Sequence, residues 1–289
     1  MQESLLHRRV DLHCHSTFSD GFYTPTQIVN YAKEYGVELL ALTDHDTIAG
    51  LPEAKVAAQK QGVIFVSGVE ISVQWEGIPL HMVALNFDDN DENLLNLLEK
   101  NQTIRRTRAK KIAELLCKKG LPNLYEKVVT EAGVSQIGRP HFANVMVNLG
   151  LVTKHSQAFD RYLSNKHLGN LKSIWPEITS VMDILKGRCE LVLAHPKRYS
   201  MTLTKLKRLL MEFSDLGGVG IEVASGNENP QSVRVLEDIC REFGLKASVG
   251  SDFHGPESSW SRLGKYTAVQ ENNLSVIWHK WLENGKNKR

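Results

Sequence analysis

Chemistry first gathers in this sequence at Asp11-Leu12-His13-Cys14-His15. Side chains two apart on a strand point to the same face, so His13 and His15 can close on one ion while Cys14 turns away. Asp20 follows shortly after, and two imidazoles with a carboxylate suit zinc, manganese or iron. A single His-x-His is only moderately specific, and two core histidines would explain it alone. The pattern recurs, however, in Thr43-Asp44-His45-Asp46, Gly68-Val69-Glu70, Ala194-His195-Pro196 and Gly250-Ser251-Asp252-Phe253-His254, each at or just after an apolar run. In β/α barrels functional groups collect at the C-terminal ends of strands, and independent surface histidines would not fall this way. The expected chemistry is that of a water activated by bound metal ions.

His81 lies near the start of its apolar run, yet it can join this set. Glu76-Gly77 reads as a two-residue hairpin turn between residues 71–75 and 78–83. That register sets His81 opposite Ser72 and diagonal to Glu70, near enough to share an ion. Asp44 and Asp46 are expected to orient His45 rather than bind metal. His7, His155, His167 and His279 lack a matching carboxylate and read as solvated surface residues.

Gly138-Arg139-Pro140-His141 precedes a helical pattern over residues 142–149. Proline in the first turn puts Arg139 at the helix start, where free backbone N–H groups favour an anion. Arg139 and His141 are candidate phosphate ligands, a plain cap with a solvated arginine being the alternative. Lys197 and Arg198, just after His195, are further candidates. The run Arg105-Arg106-Thr107-Arg108-Ala109-Lys110-Lys111 could follow a nucleic-acid backbone, but the favoured reading is a solvated helix face.

The elements that must position these groups alternate between strand and helix. Strand signals fall at residues 10–13, 39–43, 63–67, 79–85, 191–194, 218–223 and 247–250. A helix between the first two is marked by Thr24 as cap, Pro25 in its first turn, Gln27 completing a capping box and Gly36 after its end. Residues 88–187 carry helical patterns without a convincing strand. The predicted architecture is α/β: a distorted, seven-stranded β/α barrel formed by residues 1–87 and 188–289, with 88–187 as a helical insertion. An open α/β sheet is the second choice. The basic end, residues 285–289, reads as a frayed tail.

The chain's 289 residues suffice for one large α/β domain or a core domain with an insertion. A formal net charge of only +2 points globally to neither nucleic acid nor membrane, so attraction for anions must be local. Cys14, Cys117, Cys189 and Cys240 form no C-x-x-C pair, which fits a reducing compartment. No apolar stretch is long enough to span a bilayer, and charges stand where a signal peptide would be apolar. A cytoplasmic protein is expected, with no membrane association and no obligate protein partner evident.

The strand-end motifs, taken in order, resemble the PHP (polymerase and histidinol phosphatase) family of phosphoesterases. The resemblance runs through His13-Cys14-His15, Asp20, Thr43-Asp44-His45-Asp46, Glu70, His81, His195 and Asp252-Phe253-His254. It implies a distorted (β/α)7 barrel and a trinuclear site of divalent metals, manganese first, with zinc or iron as alternatives. By analogy His13, His15, Glu70 and Asp252 hold one ion, Glu70, His81 and His195 the second, and Asp20, His45 and His254 the third. His195 and His254 would then stand beside the metal-bound water as catalytic groups. Residues 138–141 and the insertion resemble the branch that hydrolyses nucleoside 3′,5′-bisphosphates and that includes a 5′-to-3′ exoribonuclease. In that branch an arginine and a histidine of the insertion contact substrate phosphate. The implied function is a metal-dependent phosphoesterase, exoribonuclease on 5′-phosphorylated RNA and 3′-phosphatase on bisphosphates, with trimming of ribosomal RNA 5′ ends as the implied role. Family histidinol phosphatases often place histidine where this chain has Asp20, which counts against that activity. A phosphatase of a small metabolite such as histidinol phosphate is the alternative, and a non-catalytic RNA-binding protein a remote one.

Overall fold

The computed structural model describes residues 10–168, 171, 174–256, 262–270 and 274–286. His7 and residues 287–289 of the basic end lie outside that set. The sheet contains β1 (Val10–Asp11), β2 (Leu39–Leu42), β3 (Ile64–Trp75), β4 (Ile78–Leu85), β5 (Glu190–Leu193), β6 (Gly220–Ser225) and β7 (Lys246–Gly250), in sequence order. β1 to β3 pair in parallel, as do β5 to β7, while β4 runs antiparallel to both its neighbours. The two edges nearly meet: Leu12 N–H donates to Val249 O at 3.1 Å, and Cys14 forms a parallel bridge with Phe253. The expected distorted seven-stranded barrel is therefore present.

Strand boundaries differ from the sequence reading chiefly in β3. The pattern suggests two short strands broken near Gly68, but residues 64–75 form one continuous strand. Gly68 does not end it. A Cβ there would meet Thr43 Cγ2 at 2.7 Å and Leu42 O at 2.8 Å, so the glycine permits close packing on β2.

The helices cover the strands as their apolar faces dictate. In α1 (Pro25–Glu34) the capping box forms as expected, Thr24 Oγ1 accepting from Gln27 N–H and Gln27 Oε1 accepting from Thr24 N–H. Its buried Ile28, Val29 and Ala32 share one cluster with Leu51, Ala54 and Ala58 of α2 (Leu51–Gln61). Between β4 and β5 come α3 (Glu92–Lys118), α4 (Tyr125–Ala132), α5 (Arg139–Asn148), α6 (His155–Ala158), a π-helical turn at Phe159–Leu163, α7 (Asn165–Leu168) and α8 (Ile178–Leu185). Both ends of this segment are rooted in the barrel. Leu94, Leu97 and Leu98 of α3, and Val181, Met182 and Leu185 of α8, pack into the main core. Its middle has a core of its own, where Ile112 and Leu116 meet Phe142 and Met146. The remaining helices are α9 (Leu203–Asp215), α10 (Pro230–Phe243) and α11 (His279–Lys286). Among the described residues no helix is long and apolar enough to cross a membrane.

Candidate metal centre

The site lies where the parallel strands end. β4 contributes from its beginning because it alone runs the other way, and its register with β3 pairs Ser72 with His81 as the hairpin reading required. Glu70, buried on β3, is the hub. Its Oε1 lies 2.8 Å from His81 Nδ1 and 2.9 Å from His195 Nε2. Its Oε2 lies 3.3 Å from both His13 Nε2 and His15 Nε2, and 2.9 Å from His45 Nδ1. Asp252 Oδ1 adds a second carboxylate, 3.5 Å from His13 Nε2 and 3.2 Å from His15 Nε2. To one side, Asp20 Oδ1 is 3.4 Å from His254 Nε2, and Asp20 Oδ2 is 3.9 Å from His45 Nε2.

These contacts fit a metal centre better than a hydrogen-bond network. His13 Nε2, His15 Nε2, His45 Nδ1, His81 Nδ1, Asp20 Oδ1 and Glu70 Oε2 are all buried and lack a well-aligned hydrogen-bond partner. Buried polar atoms left so, converging on shared points, have the chemistry of ligands around cations. Among the described residues three overlapping groups meet that description: His13 with His15 and Glu70, His45 with Glu70 and His81, and His15 with Asp20, His45 and His254.

One supporting carboxylate was not singled out from the sequence. Glu222 on β6 is buried, faces His13 Nδ1 at 3.1 Å and accepts from His195 N–H at 2.7 Å. It sets the His13 tautomer so that Nε2 points at Glu70 and Asp252. Gly250 makes room for this pair, since a Cβ there would sit 2.3 Å from His13 Cβ and 2.9 Å from Glu222 Oε1. An acid inside the apolar strand Gly-Ile-Glu-Val is the signal that could have found it. Glu222→Gln is expected to weaken metal binding about 10- to 100-fold, measured by competitive titration with a chelator. Unchanged affinity would reduce Glu222 to a packing element.

The electrostatics follow from burial opposed by charge. Burial alone would raise Glu70, but the rings of His45, His81 and His13 hold its carboxyl well below the ordinary range. Asp20 and Asp252 are held low in the same way, against burial, by His254 with His45 and by His13 with His254 respectively. Burial lowers His254, yet Asp20 and Asp252 outweigh it and lift the ring to about 10. Backbone strain also collects here: Asp46, His195 and Asp252 have φ of 50°, 27° and 49°, in the left-handed region that non-glycine residues seldom adopt.

Other expectations need correction. Neither Asp44 nor Asp46 hydrogen-bonds the His45 ring. Asp44 accepts from Ser16 N–H at 2.7 Å, Ser16 Oγ at 2.6 Å and Ser19 Oγ at 2.6 Å, fixing the loop that carries Asp20. Asp46 accepts from Ser72 N–H and Oγ, Asn101 Nδ2 and Arg105 Nε instead. His155 and His167 are half-buried rather than solvated; His279 is exposed.

A pocket of about 350 Å³ opens over the centre, walled by the metal-competent residues and by Arg105, Arg108, Arg139, Arg198, Phe159 and Trp175. Arg139 stands at the start of α5 as expected, its guanidinium 5.9 Å from the Phe159 ring centroid. His141 is buried outside the pocket wall, with Nδ1 accepting from Gly138 N–H at 3.0 Å. Arg198 reaches the wall, donating to the Asp252 carboxylate and, at 3.0 Å, to Ser225 Oγ; Lys197 does not reach it. Arg106, Lys110 and Lys111 are exposed as a solvated face should be, whereas Arg105 is buried and Arg108 half-buried at the pocket. Their spacing of three, one helical face, was the available signal.

A nearly closed barrel with histidines and carboxylates at its strand ends defines a class, and the chain belongs to the PHP-domain family, whose model matches residues 11–223. Among its relatives, a 5′-3′ exoribonuclease of Haemophilus influenzae is 38% identical over 95% of this chain and 99% of its own length. A 3′,5′-nucleoside bisphosphate phosphatase of Chromobacterium violaceum is 36% identical, over 88% of this chain and 90% of its own. A solved structure from Bifidobacterium adolescentis, described as a metal-dependent phosphoesterase, superposes with a TM-score of 0.80 at 29% identity, covering 95% of this chain and 94% of that one.

Proposed function

We propose that the protein is a metal-dependent phosphoesterase that removes nucleotides from the 5′ end of 5′-phosphorylated RNA and the 3′-phosphate from nucleoside 3′,5′-bisphosphates. The observation that carries this reading is the convergence of His13, His15, His45, His81 and His195 on Glu70, beneath a pocket lined with arginines. His13, His15, Glu70 and Asp252 hold one ion, Glu70, His81 and His195 a second, and Asp20, His45 and His254 a third. Manganese is the expected metal, with zinc or iron able to substitute. When bound, the ions supply a water activated for attack on phosphorus and positive charge against the phosphoryl oxygens.

The protein's own groups bind and orient the substrate. Arg198, fixed by Asp252 and Ser225, faces the phosphoryl group that reacts. Arg139, at the N-terminus of α5, holds the 5′-phosphate where the helix dipole favours an anion. His141 contributes through Nε2, its Nδ1 being engaged by Gly138, and Lys197 adds local positive charge outside the wall. Tyr199 steadies the His81 and His195 segments, its hydroxyl accepting from His81 N–H and donating to Ala194 O, each at 2.9 Å.

One pocket can serve both reactions. The first nucleotide of a 5′-phosphorylated RNA carries phosphate at 5′ and at 3′, the latter esterified to the next nucleotide. With the 5′-phosphate gripped and the 3′-phosphorus over the metals, cleavage releases inorganic phosphate from a bisphosphate or a 5′-mononucleotide from RNA. Free Cys14, Cys117, Cys189 and Cys240 support a reducing, cytoplasmic setting. The test is hydrolysis of a short 5′-phosphorylated RNA beside its 5′-hydroxyl twin, with manganese supplied. Mononucleotides from the phosphorylated strand alone are expected. Equal cleavage of both strands would remove the 5′-phosphate requirement, and cleavage of neither by metal-loaded protein would favour a small-metabolite phosphatase.

A further inference from the structure

At about 350 Å³ the pocket over the metal centre is small for a ligand pocket and has room for one nucleotide. The rest of an RNA chain must therefore lie on the surface outside it. A row of aromatic rings begins at the pocket's edge. Phe22 follows Asp20 and Gly21, and its N–H donates to the carbonyl oxygen of His254 at 2.6 Å. The Phe22 ring meets Tyr23 with centroids 5.1 Å apart, and Tyr23 meets Tyr31 at 4.6 Å. Tyr31 in turn meets Tyr35 at 6.1 Å, with the two planes only 15° apart. Arg262 closes the row, its guanidinium 5.0 Å from the Tyr35 ring centroid.

These rings are not core. Phe22 is 69% exposed and Tyr35 39%, while Tyr23 and Tyr31 are half-buried. The row is also held in place. Tyr23 O accepts from Thr17 N–H at 2.9 Å, and the Tyr23 ring lies nearly parallel to Phe253 at 6.0 Å. Tyr31 belongs to the last turn of α1, and Tyr35 caps that helix. Single exposed apolar side chains are ordinary on a protein surface. Four rings in contact, running from the edge of a phosphoesterase site to an arginine, are a different matter. Single-stranded nucleic acid is held in this way, because every base has a π-face that stacks whatever its identity and a nearby cation answers the backbone charge.

We propose that Phe22, Tyr23, Tyr31 and Tyr35 form a sequence-independent track on which bases of single-stranded RNA stack downstream of the cleaved linkage. This rests on the exoribonuclease reading above and adds to it a surface that a nucleoside bisphosphate, held within the pocket, does not reach. Longer strands thereby gain affinity that the pocket alone does not give them.

The experiment compares manganese-loaded wild type, Phe22→Ala/Tyr35→Ala and Phe22→Trp/Tyr35→Trp. The substrates are adenosine 3′,5′-bisphosphate, a 5′-phosphorylated RNA octanucleotide and the same strand made abasic beyond its first nucleotide. In the alanine variant kcat/KM for the octanucleotide, relative to that for the bisphosphate, should fall roughly 10- to 100-fold, mostly through KM. The tryptophan variant should keep the wild-type ratio, and the abasic strand should be cleaved alike by all three proteins. Binding without turnover is read by fluorescence anisotropy of a labelled octanucleotide whose first linkage is a non-hydrolysable phosphonate. Its Kd should rise in the alanine variant by the same factor. An unaltered ratio, or an alanine effect that persists on the abasic strand, would overturn the track. If wild type cleaves no RNA yet binds the octanucleotide through these rings, the track stands and the exoribonuclease reading fails. Neither cleavage nor binding by wild type would overturn both.

Discussion

Glu70→Gln should abolish hydrolysis, lowering kcat/KM by about a thousandfold or more, and should leave the protein with most of its metal missing. Both carboxylate oxygens are in use, Oε1 facing His81 and His195 and Oε2 facing His13, His15 and His45. Glutamine keeps the shape but presents one neutral oxygen, and its amide donors point at a cation. On the proposed assignment Glu70 would serve two ions, so its loss would weaken the affinity for both, and metal stabilisation of transition-state charge is worth several kcal/mol. Elemental analysis after gel filtration, read beside turnover, separates the alternatives. Full metal content with normal turnover would sink the ligand assignment. Full metal content with lost turnover would instead make Glu70 an electrostatic group that tunes ions held by others.

The second large effect is on stability. Asp46→Ala should cost roughly 3–5 kcal/mol, seen as a fall in Tm on the order of 10 °C at neutral pH. Asp46 is fully buried and accepts from Arg105 Nε at 2.6 Å and from Ser72 N–H, Ser72 Oγ and Asn101 Nδ2 at 2.8 Å. Alanine strands Ser72 N–H and Arg105 Nε, leaves Asn101 only its bond to Ser72 O, and leaves the buried Arg105 charge unpaired. Arg105→Met in the same chain should return part of the loss, since the stranded charge goes with it. Burial would raise Asp46, but Arg105 and the hydrogen bonds more than offset it and hold the folded-state pKa below the ordinary value. The contribution is thus complete above the unfolded-state pKa, about 4, and fades as pH falls through the lower folded-state value. The gap between wild type and Asp46→Ala should therefore narrow in strong acid. A loss under about 1 kcal/mol at pH 7 would mean that the loop relaxes to pair Arg105 elsewhere.

Much of this molecule was legible along the chain, for reasons of range. The capping box of α1 lies within a few residues, and Glu76-Gly77 alone sets the register that brings His81 opposite Ser72. His13 and His15 share a face because strand side chains alternate. What misled was equally local. Gly68 looked like the end of a strand because glycine often is one, whereas its missing side chain lets β3 press against Thr43. The basic run on α3 looked solvated because such runs usually are, and Arg106, Lys110 and Lys111 do face solvent.

The sequence by itself determined which elements form, which of their ends carry metal-competent side chains, and which family the chain resembles, since each depends on residue type and short spacing. Only the tertiary structure decided that Glu222 sits against His13, that Arg105 crosses to Asp46, and that Arg108 lines the pocket with no carboxylate partner among the described residues. Those outcomes depend on which face of α3 docks on the barrel and on how β6 lies between β5 and β7. Burial and charge pairing then act between residues far apart in the chain, and no periodicity records which cation will find a carboxylate and which will wait for a ligand.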